Sequence, residues 1–437
     1  MRFSGGNPLF GFANFLLLAL FAAAVFDLIF ALARGGGLRG ALHGLWNTPH
    51  LLFGQQLAEW RLQLGRILFA AGLAAYEISV VFCNSMARQN WAWVQGVMSP
   101  VLEWLAFLCF GAKILFGTRY TWRELLAGGA LYFIARWVYF NSQNIWWIGI
   151  VVAVLAAKDV PLRRPLQVYF ASGCAAMAVV LALHFAGIVA PDLTSERMGA
   201  LRGTYGYGHP NTFGGLVFGL VLAYALLRAQ KVRWVDCLLV FAVGVFLLVG
   251  PASRSAALCT LALAVGLVFC RLRTGHSVPR WWPGTCAGMV GLTAAVSYLL
   301  PLLVIKVGPW NNDIGPAWLA KLDSLLTCRI SLTWMAYRLL DVKIAGQVFN
   351  WPTVDNSFAF ALFQFGPVVA ALLGILFSAA LWGHAKQGRR VEVCCLFAML
   401  AYAYMEVQPF HLTTNPTALL LCGAVFAQTS ARWQKIE

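Results

Sequence analysis

Apolar runs long enough to cross a bilayer alternate with short polar turns along nearly the whole chain. A crossing takes about 20 mostly apolar residues in a helix. The pattern predicts spans at 8–33, 67–86, 93–116, 124–140, 144–157, 166–190, 211–228, 234–250, 255–270, 283–305, 356–383, 392–407 and 416–430. The pair 124–140 and 144–157 is short, so a tilted or re-entrant pair is an alternative to two crossings, and the count is twelve or thirteen. The predicted fold class is all-α: a polytopic transmembrane helical bundle, one integral membrane domain over 1–437. Only one hydrophilic stretch, 306–355, is too long to be a mere connection, and such loops are usually functional or disordered. It contains a helix-like segment at 317–341.

Composition fits this reading. Charged residues make up 11% of the chain and hydrophobic residues 60%, whereas a soluble domain carries about 25% charged residues. The net charge of +16 does not point to nucleic acid, because the cations fall in short clusters between apolar runs. Arg119 and Arg123; Lys158, Arg163 and Arg164; Arg228, Lys231 and Arg233; Arg271, Arg273 and Arg280; and Lys386, Arg389 and Arg390 fall in alternate connections. Positive-inside bias makes that side cytoplasmic. Arg34, Arg39, Arg61 and Arg66 fit the same side and place the N-terminus outside, unless 40–58 dips into the membrane. The eleven cysteines show no CxxC spacing and read as small buried hydrophobes, with no disulfide framework and no metal site. The first apolar run is long enough to span and lacks a clear small-residue cleavage site, so a cleaved leader is not expected.

Several arginines break the positive-inside pattern, all on the predicted outer face: Arg197, Arg202, Arg254, Arg329 and Arg338. Arg197 and Arg338 read as ordinary solvated cations. Arg254 sits in the tight turn Gly250-Pro251-Ala252-Ser253-Arg254-Ser255, close to the membrane boundary, where ionisable groups face a polar cavity or a partner. Arg329 is placed by periodicity. With 318–341 as one helix, Leu322, Leu325, Leu326, Leu332, Thr333, Ala336, Tyr337 and Leu340 share one face, and Asp323, Ser324, Thr327, Ser331 and Arg338 the other. Arg329 then projects from the middle of the apolar face and needs an anionic partner. A substrate anion would serve, and so would a structural salt bridge to Asp355 or Glu406.

The stretch Arg202-Gly203-Thr204-Tyr205-Gly206-Tyr207-Gly208-His209-Pro210-Asn211 feeds a helix. Its glycines, Gly206 and Gly208 among them, let the backbone fold closely and turn N–H groups inward. Pro210 suits the first turn, with His209 or Asn211 as the cap, and a free helix N-terminus favours an anion. A plain interfacial turn would account for Tyr205 and Tyr207 but poorly for Arg202 and His209. Asp355, in Asp355-Asn356-Ser357, reads either as a cap or as a general base facing the same cavity. Glu406, near Gln408 and His411, has the same two readings. Asp27, Glu77, Glu103 and Arg136 lie within spans and are expected to pair inside the bundle.

In order, R-G-T-Y-G-Y-G-H-P-N, then S-R-S between two spans, then a long outer loop with R-I-S-L-x-W, then V-D-N-S-F, resemble the Wzy-type polysaccharide polymerases of the O-antigen polymerase/ligase superfamily. The resemblance runs from about 197 to 410, while the N-terminal spans are similar only in general character. It implies a GT-C-like membrane glycosyltransferase of the bacterial cytoplasmic membrane, acting on its outer side without metal or cofactor. The donor would be a glycan on undecaprenyl diphosphate, the acceptor a sugar hydroxyl on a second lipid-linked unit; a chain-length regulator and a flippase are further implied partners. Arg202, Arg254 and Arg329 match the family arginines thought to hold the diphosphate, with Gly206, Gly208, Asn211 and Ser253 supporting them. Two departures stand out. Cys328 occupies the position before the loop arginine where the family often has glycine, and Asp355 stands where ligase relatives carry a functional histidine. The second favours polymerase over ligase and leaves the base open among Asp355, His209 and Glu406.

Breaking a sugar–diphosphate bond needs fixed cations where charge builds on the leaving oxygens, and arginine supplies this bidentately. A ligase of the same superfamily would share the donor site. A transporter or flippase of an anionic lipid-linked sugar is the rival of another class; such proteins show repeats and broken helices at the midplane, but no repeat is evident here and the unusual polar residues gather at one face. A membrane scaffold would leave the outer arginines unexplained.

Overall fold

The computed structural model describes residues 8–34, 37–54, 58–189, 195–197, 200–273, 278–304 and 315–426. Eight of its helical segments are long and apolar enough to cross a membrane, with three shorter apolar helices beside them. The chain is therefore a multi-pass, all-α membrane protein. Helices α1 (Pro8–Ala33), α2 (Gly37–Asn47) and α3 (Ala58–Cys83) come first. A π-helical turn, Val94–Met98, leads into α4 (Ser99–Phe116), followed by α5 (Trp122–Ser142), α6 (Ile145–Ala156) and α7 (Arg163–Phe185). The second half holds α8 (Pro210–Leu227), α9 (Trp234–Val249), α10 (Arg254–Leu272), α11 (Trp282–Leu299), α12 (Ala317–Leu325), α13 (Arg329–Leu339), α14 (Pro367–Lys386) and α15 (Arg390–Met405). Two short ribbons accompany them: β1 (His50–Leu51) with β2 (Arg119–Tyr120), and β3 (Ser195–Arg197) with β4 (Ala200–Arg202).

Packing runs from α4 through α3, α7, α8 and α10 to α15, with α9 against α10 and α11 against α14. Small residues set a close approach of α3 to the end of α4: a Cβ on Gly65 would lie 2.8 Å from Gly117 Cα, which is how helices associate without an aqueous hydrophobic drive. Large apolar side chains such as Phe21, Phe185, Val235 and Val249 stand exposed on the outside. That surface suits lipid and not water.

The two ends of the bundle differ. At one end Arg61 donates to the carbonyls of Leu52, Gly54 and Phe116, Lys158 pairs with Glu124 at 3.3 Å, and Arg390 donates to the Arg273 carbonyl. The lysine- and arginine-rich connections gather there, as alternation along the sequence requires. The segment 40–58, which bears on the side of the N-terminus, holds α2; at eleven residues it is about 16 Å long and too short to cross.

Three expected elements differ from the pattern reading. The stretch 318–341 is not one helix but breaks at Thr327 and Cys328, both left-handed (φ 62° and 63°). Asp323 is consequently buried rather than solvent-facing, and accepts from the Ile330 N–H (2.7 Å), the Ser331 N–H (3.2 Å) and the Ser331 hydroxyl (2.8 Å). It caps α13 from the preceding helix, while Leu325, placed on the apolar face by periodicity, is 69% exposed. The span 356–383 is interrupted: Ser357–Phe360 and a π-helical turn Ala361–Phe365 end at Gly366 (φ 87°) before α14 begins. The last span, 416–430, starts as a 3-10 helix, Pro416–Leu421, and 427–437 lie outside the described residues, as do 305–314 of the long loop.

Of the intramembrane ionisable groups expected to pair, Asp27 lies 3.4 Å from His50 Nε2, without a hydrogen bond between the two atoms. Glu77 has no ion pair among the described residues, and its Oε2 is buried without a hydrogen-bond partner.

Two glycines lock the long loop onto the broken helix. Gly346 (φ 75°) would place a Cβ 2.0 Å from the Gln364 carbonyl oxygen, and Gly366 a Cβ 2.1 Å from that of Ile344. Gly366→Ala should therefore lower the thermal unfolding midpoint of the detergent-purified protein. Gly374→Ala, whose Cβ meets nothing within 4 Å, should leave it unchanged or slightly raised, since alanine favours a helix interior by about 0.5–1 kcal/mol.

Candidate functional site

At the end of the bundle opposite the basic connections, four sequence-distant segments meet on Glu406. This residue lies one position past α15, in extended conformation (φ −142°). Its Oε1 accepts from Arg329 Nη2 at 2.5 Å, Ser255 Oγ at 2.9 Å and Asn211 Nδ2 at 3.0 Å. Its backbone carbonyl accepts from Ser357 Oγ at 2.6 Å.

Arg329 opens α13 and is buried. Besides Glu406 it donates to the carbonyls of Leu326 (3.0 Å) and Met405. The break at Thr327–Cys328 explains its placement: the turn swings Arg329 to the start of a new helix and toward α15. Its burial follows from that corner, and not from an apolar helix face. Of its two expected partners, Glu406 is the close one; Asp355 lies at 4.0 Å, with its side chain 29% exposed.

Asn211 links this ion pair to the glycine-rich loop. Its Oδ1 accepts from Arg202 Nη2 at 3.0 Å and, more weakly, from Ser253 Oγ at 3.5 Å. Arg202 Nη2 also donates to the Ala252 carbonyl (3.1 Å), tying β4 to the turn before α10. Arg254 is the first residue of α10, exposed, between the two serines that reach Asn211 and Glu406. Arg202, Asn211, Ser253, Arg254, Arg329, Asp355 and Glu406 thus fall in one neighbourhood, although they span more than two hundred residues.

His209 and not Asn211 is the cap of α8: its Nδ1 accepts the Asn211 N–H at 3.1 Å. A neutral imidazole accepting at Nδ1 carries its proton on Nε2, so in this geometry it is a donor to a ligand rather than a base. Asp355 is likewise not a cap; Asn356 accepts from the N–H groups of Phe358 and Ala359 in that role. The glycine loop uses its backbone differently from the expected anion nest. Tyr207 N–H donates to Thr204 and Gly208 N–H to Asn84, while the Gly206 carbonyl accepts from Met86. Gly206 (φ 82°) would also place a Cβ 3.0 Å from His184 Cβ. The loop is pinned to the end of α3, and Tyr205 and Tyr207 pack on Phe213.

Several contributors escaped the sequence reading. A Cβ on Gly214 would lie 2.2 Å from Ser253 Oγ, and one on Gly215 1.8 Å from Gln408 Oε1. Only this glycine pair lets Ser253 and Gln408 approach α8, where Gln408 Nε2 donates to the Asn211 carbonyl (3.2 Å). The dipeptide after Asn211-Thr212-Phe213 was the available signal, since paired small residues in a span mark close approach. Beside Ser357 an apolar cavity of about 640 Å³ opens among Val290, Tyr298, Phe358, Phe377 and Phe410. Among the described residues no group of His, Cys, Asp and Glu could hold a metal ion. No family model, curated protein or solved structure matches the chain.

Replacing Asn211 tests its bridging role. Asn211→Ala removes one donor to a buried carboxylate, and Asn211→Asp sets a second carboxylate against it. We expect unfolding midpoints in the order wild type, Ala, Asp, with Ala costing about 1–3 kcal/mol. Equal midpoints for Ala and wild type would show that Asn211 does not support the pair.

Proposed function

We propose that this chain is a GT-C-like membrane glycosyltransferase that joins lipid-diphosphate-linked oligosaccharide units into a polysaccharide on the outer side of a bacterial cytoplasmic membrane. The observation that carries the reading is the placement of an arginine-rich polar site directly against an apolar cavity. Arg202, Arg254 and Arg329 flank the Asn211–Glu406 link, and Ser357 lies both under Glu406 and in the cavity wall. Such a site suits an amphiphile with an anionic head, its apolar part lying among Val290, Tyr298, Phe358, Phe377 and Phe410. The order of motifs resembling the Wzy-type polymerases supports the same class. So does Cys328: the position where that family often carries glycine has φ 63°, a conformation glycine adopts at no steric cost.

In the proposed reaction the arginines hold the donor diphosphate. An acceptor hydroxyl attacks the anomeric carbon, the bond from that carbon to the diphosphate oxygen breaks, and the lipid diphosphate leaves with the electron pair. The hydroxyl proton passes to Asp355. Of the three candidate bases Asp355 is the best placed: Glu406 is committed to Arg329, Ser255 and Asn211, and His209 uses Nδ1 as a cap. Asp355 is part-exposed and 4.0 Å from Arg329. Glu406 then acts as the counter-ion that orients Arg329.

The test is chain growth by the purified protein from its lipid-linked repeat unit, with EDTA present. Wild type should produce a ladder of longer glycans. Arg254→Ala and Arg329→Lys should each lose growth by about 10²–10³-fold, the usual effect of removing one fixed donor to developing charge. Asp355→Asn should lower turnover more than donor binding. Full growth in both arginine variants would overturn the site. No growth from intact donor by folded protein would overturn the polymerase reading, and a single transfer to a non-repeating acceptor would identify a ligase.

A further inference from the structure

A second cavity, of about 890 Å³ including its open mouth and of mixed polar and apolar lining, lies at the other end of the bundle, among the basic connections. Its ionisable walls are Arg163, Arg228, Lys231, Arg389, His384 and Glu392. Arg163 begins α7, Arg228 and Lys231 lie in the turn from α8 to α9, His384 is in the last turn of α14, and Arg389 precedes α15. Four cationic side chains therefore face one carboxylate. Arg228 is anchored to Asp236 at 3.1 Å. Among the described residues Arg163, Lys231 and Arg389 have no salt bridge within 4 Å. Glu392, the single acid, folds back on its own backbone N–H.

Two further features distinguish this place from an ordinary basic turn. The N-termini of α7 and α15 both reach the cavity, and neither receives a hydrogen bond from its capping side chain, so their N–H groups and dipoles favour an anion there. His384 is buried, with 9% of its surface exposed, lines the cavity, and its Nδ1 has no hydrogen-bond partner. A buried imidazole nitrogen without a partner leaves its desolvation uncompensated. Positive-inside bias accounts for the charges but not for a walled volume, two uncapped helix starts and an orphaned buried imidazole in one place.

We propose that this cavity binds a phosphate group, held by Arg163, Lys231 and Arg389 and reached from within the bundle by His384 Nδ1–H. The phosphate could be carried by an anionic phospholipid of the adjoining leaflet or by a free phosphate ion; both present the same oxygens to the same donors. The proposal is independent of the glycosyltransferase reading, because the cavity and the arginine site lie at opposite ends of α8 and α15.

Native mass spectrometry of the full chain with added phosphatidylglycerol or phosphatidylcholine, paired with thermal melting in inorganic phosphate, tests it. If a lipid occupies the site, phosphatidylglycerol is retained in preference to phosphatidylcholine. Lys231→Gln, at an exposed position, and Arg389→Gln, at a half-buried one, should each weaken that preference about fivefold. If free phosphate occupies it, inorganic phosphate raises the wild-type melting midpoint and the shift shrinks in both variants. His384→Leu gives a second readout: the ligand-free midpoint should not fall, while the ligand response is lost. Equal retention of the two lipids together with no phosphate shift would overturn the proposal. A response unchanged in all three variants would overturn it too.

Discussion

The site depends on one buried ion pair. Arg329 and Glu406 are each about 95% removed from solvent and meet at 2.5 Å. Bringing two charges out of water is costly, and their attraction repays it only when the remaining donors and acceptors are satisfied. Here Arg329 also reaches two carbonyls, and Glu406 Oε1 also takes Ser255 and Asn211. Each added contact recruits a different segment. Through Glu406 the long loop, α8, α10 and the Ser357 turn are fastened to the end of α15, and Arg202 and Arg254 come with them. The pair is thus a structural assembly point and, in the proposed function, the means by which an arginine is held in one orientation for an anionic ligand.

The close contacts around this pair rest on missing side chains. Gly214 and Gly215 admit Ser253 and Gln408 to α8, and Gly366 and Gly346 seat the long loop on the broken helix below Asp355. The polar groups collect at one end of their helices, with an apolar cavity beneath and lipid-facing side chains around. In the proposed function this layering binds a polar head at the boundary while its apolar part stays in hydrocarbon. The opposite end is built differently, from basic turns and two helix starts around the buried His384.

Much of this was legible because a bilayer imposes a local rule: every crossing must read as an apolar run. Spans such as 8–33 and 211–228 agree with α1 and α8 within a residue or two. The arginines that break positive-inside bias were legible for the same reason, and so was the need of Arg329 for an anionic partner. What escaped was set by backbone geometry. Thr327 and Cys328 adopt a left-handed corner without a glycine to announce it, so periodicity ran on across the break and sent Asp323 to the wrong face. Gly366-Pro367 did announce a break, but the continuous apolar run around it hid the signal. Glu406 stands 77 residues from Arg329; sequence named it as one of two partners, and only the turn at 327–328 decided between them.

The most direct measurement is a double-mutant cycle on the pair, with Arg329→Met, Glu406→Leu and both together, read by equilibrium unfolding of the micelle-bound protein. Each single change strands a buried charge and should cost about 3–5 kcal/mol, whereas the double change removes both charges and should cost far less than the sum. Additive losses would mean that the two groups do not hold one another, and the account of how the site is assembled would be wrong.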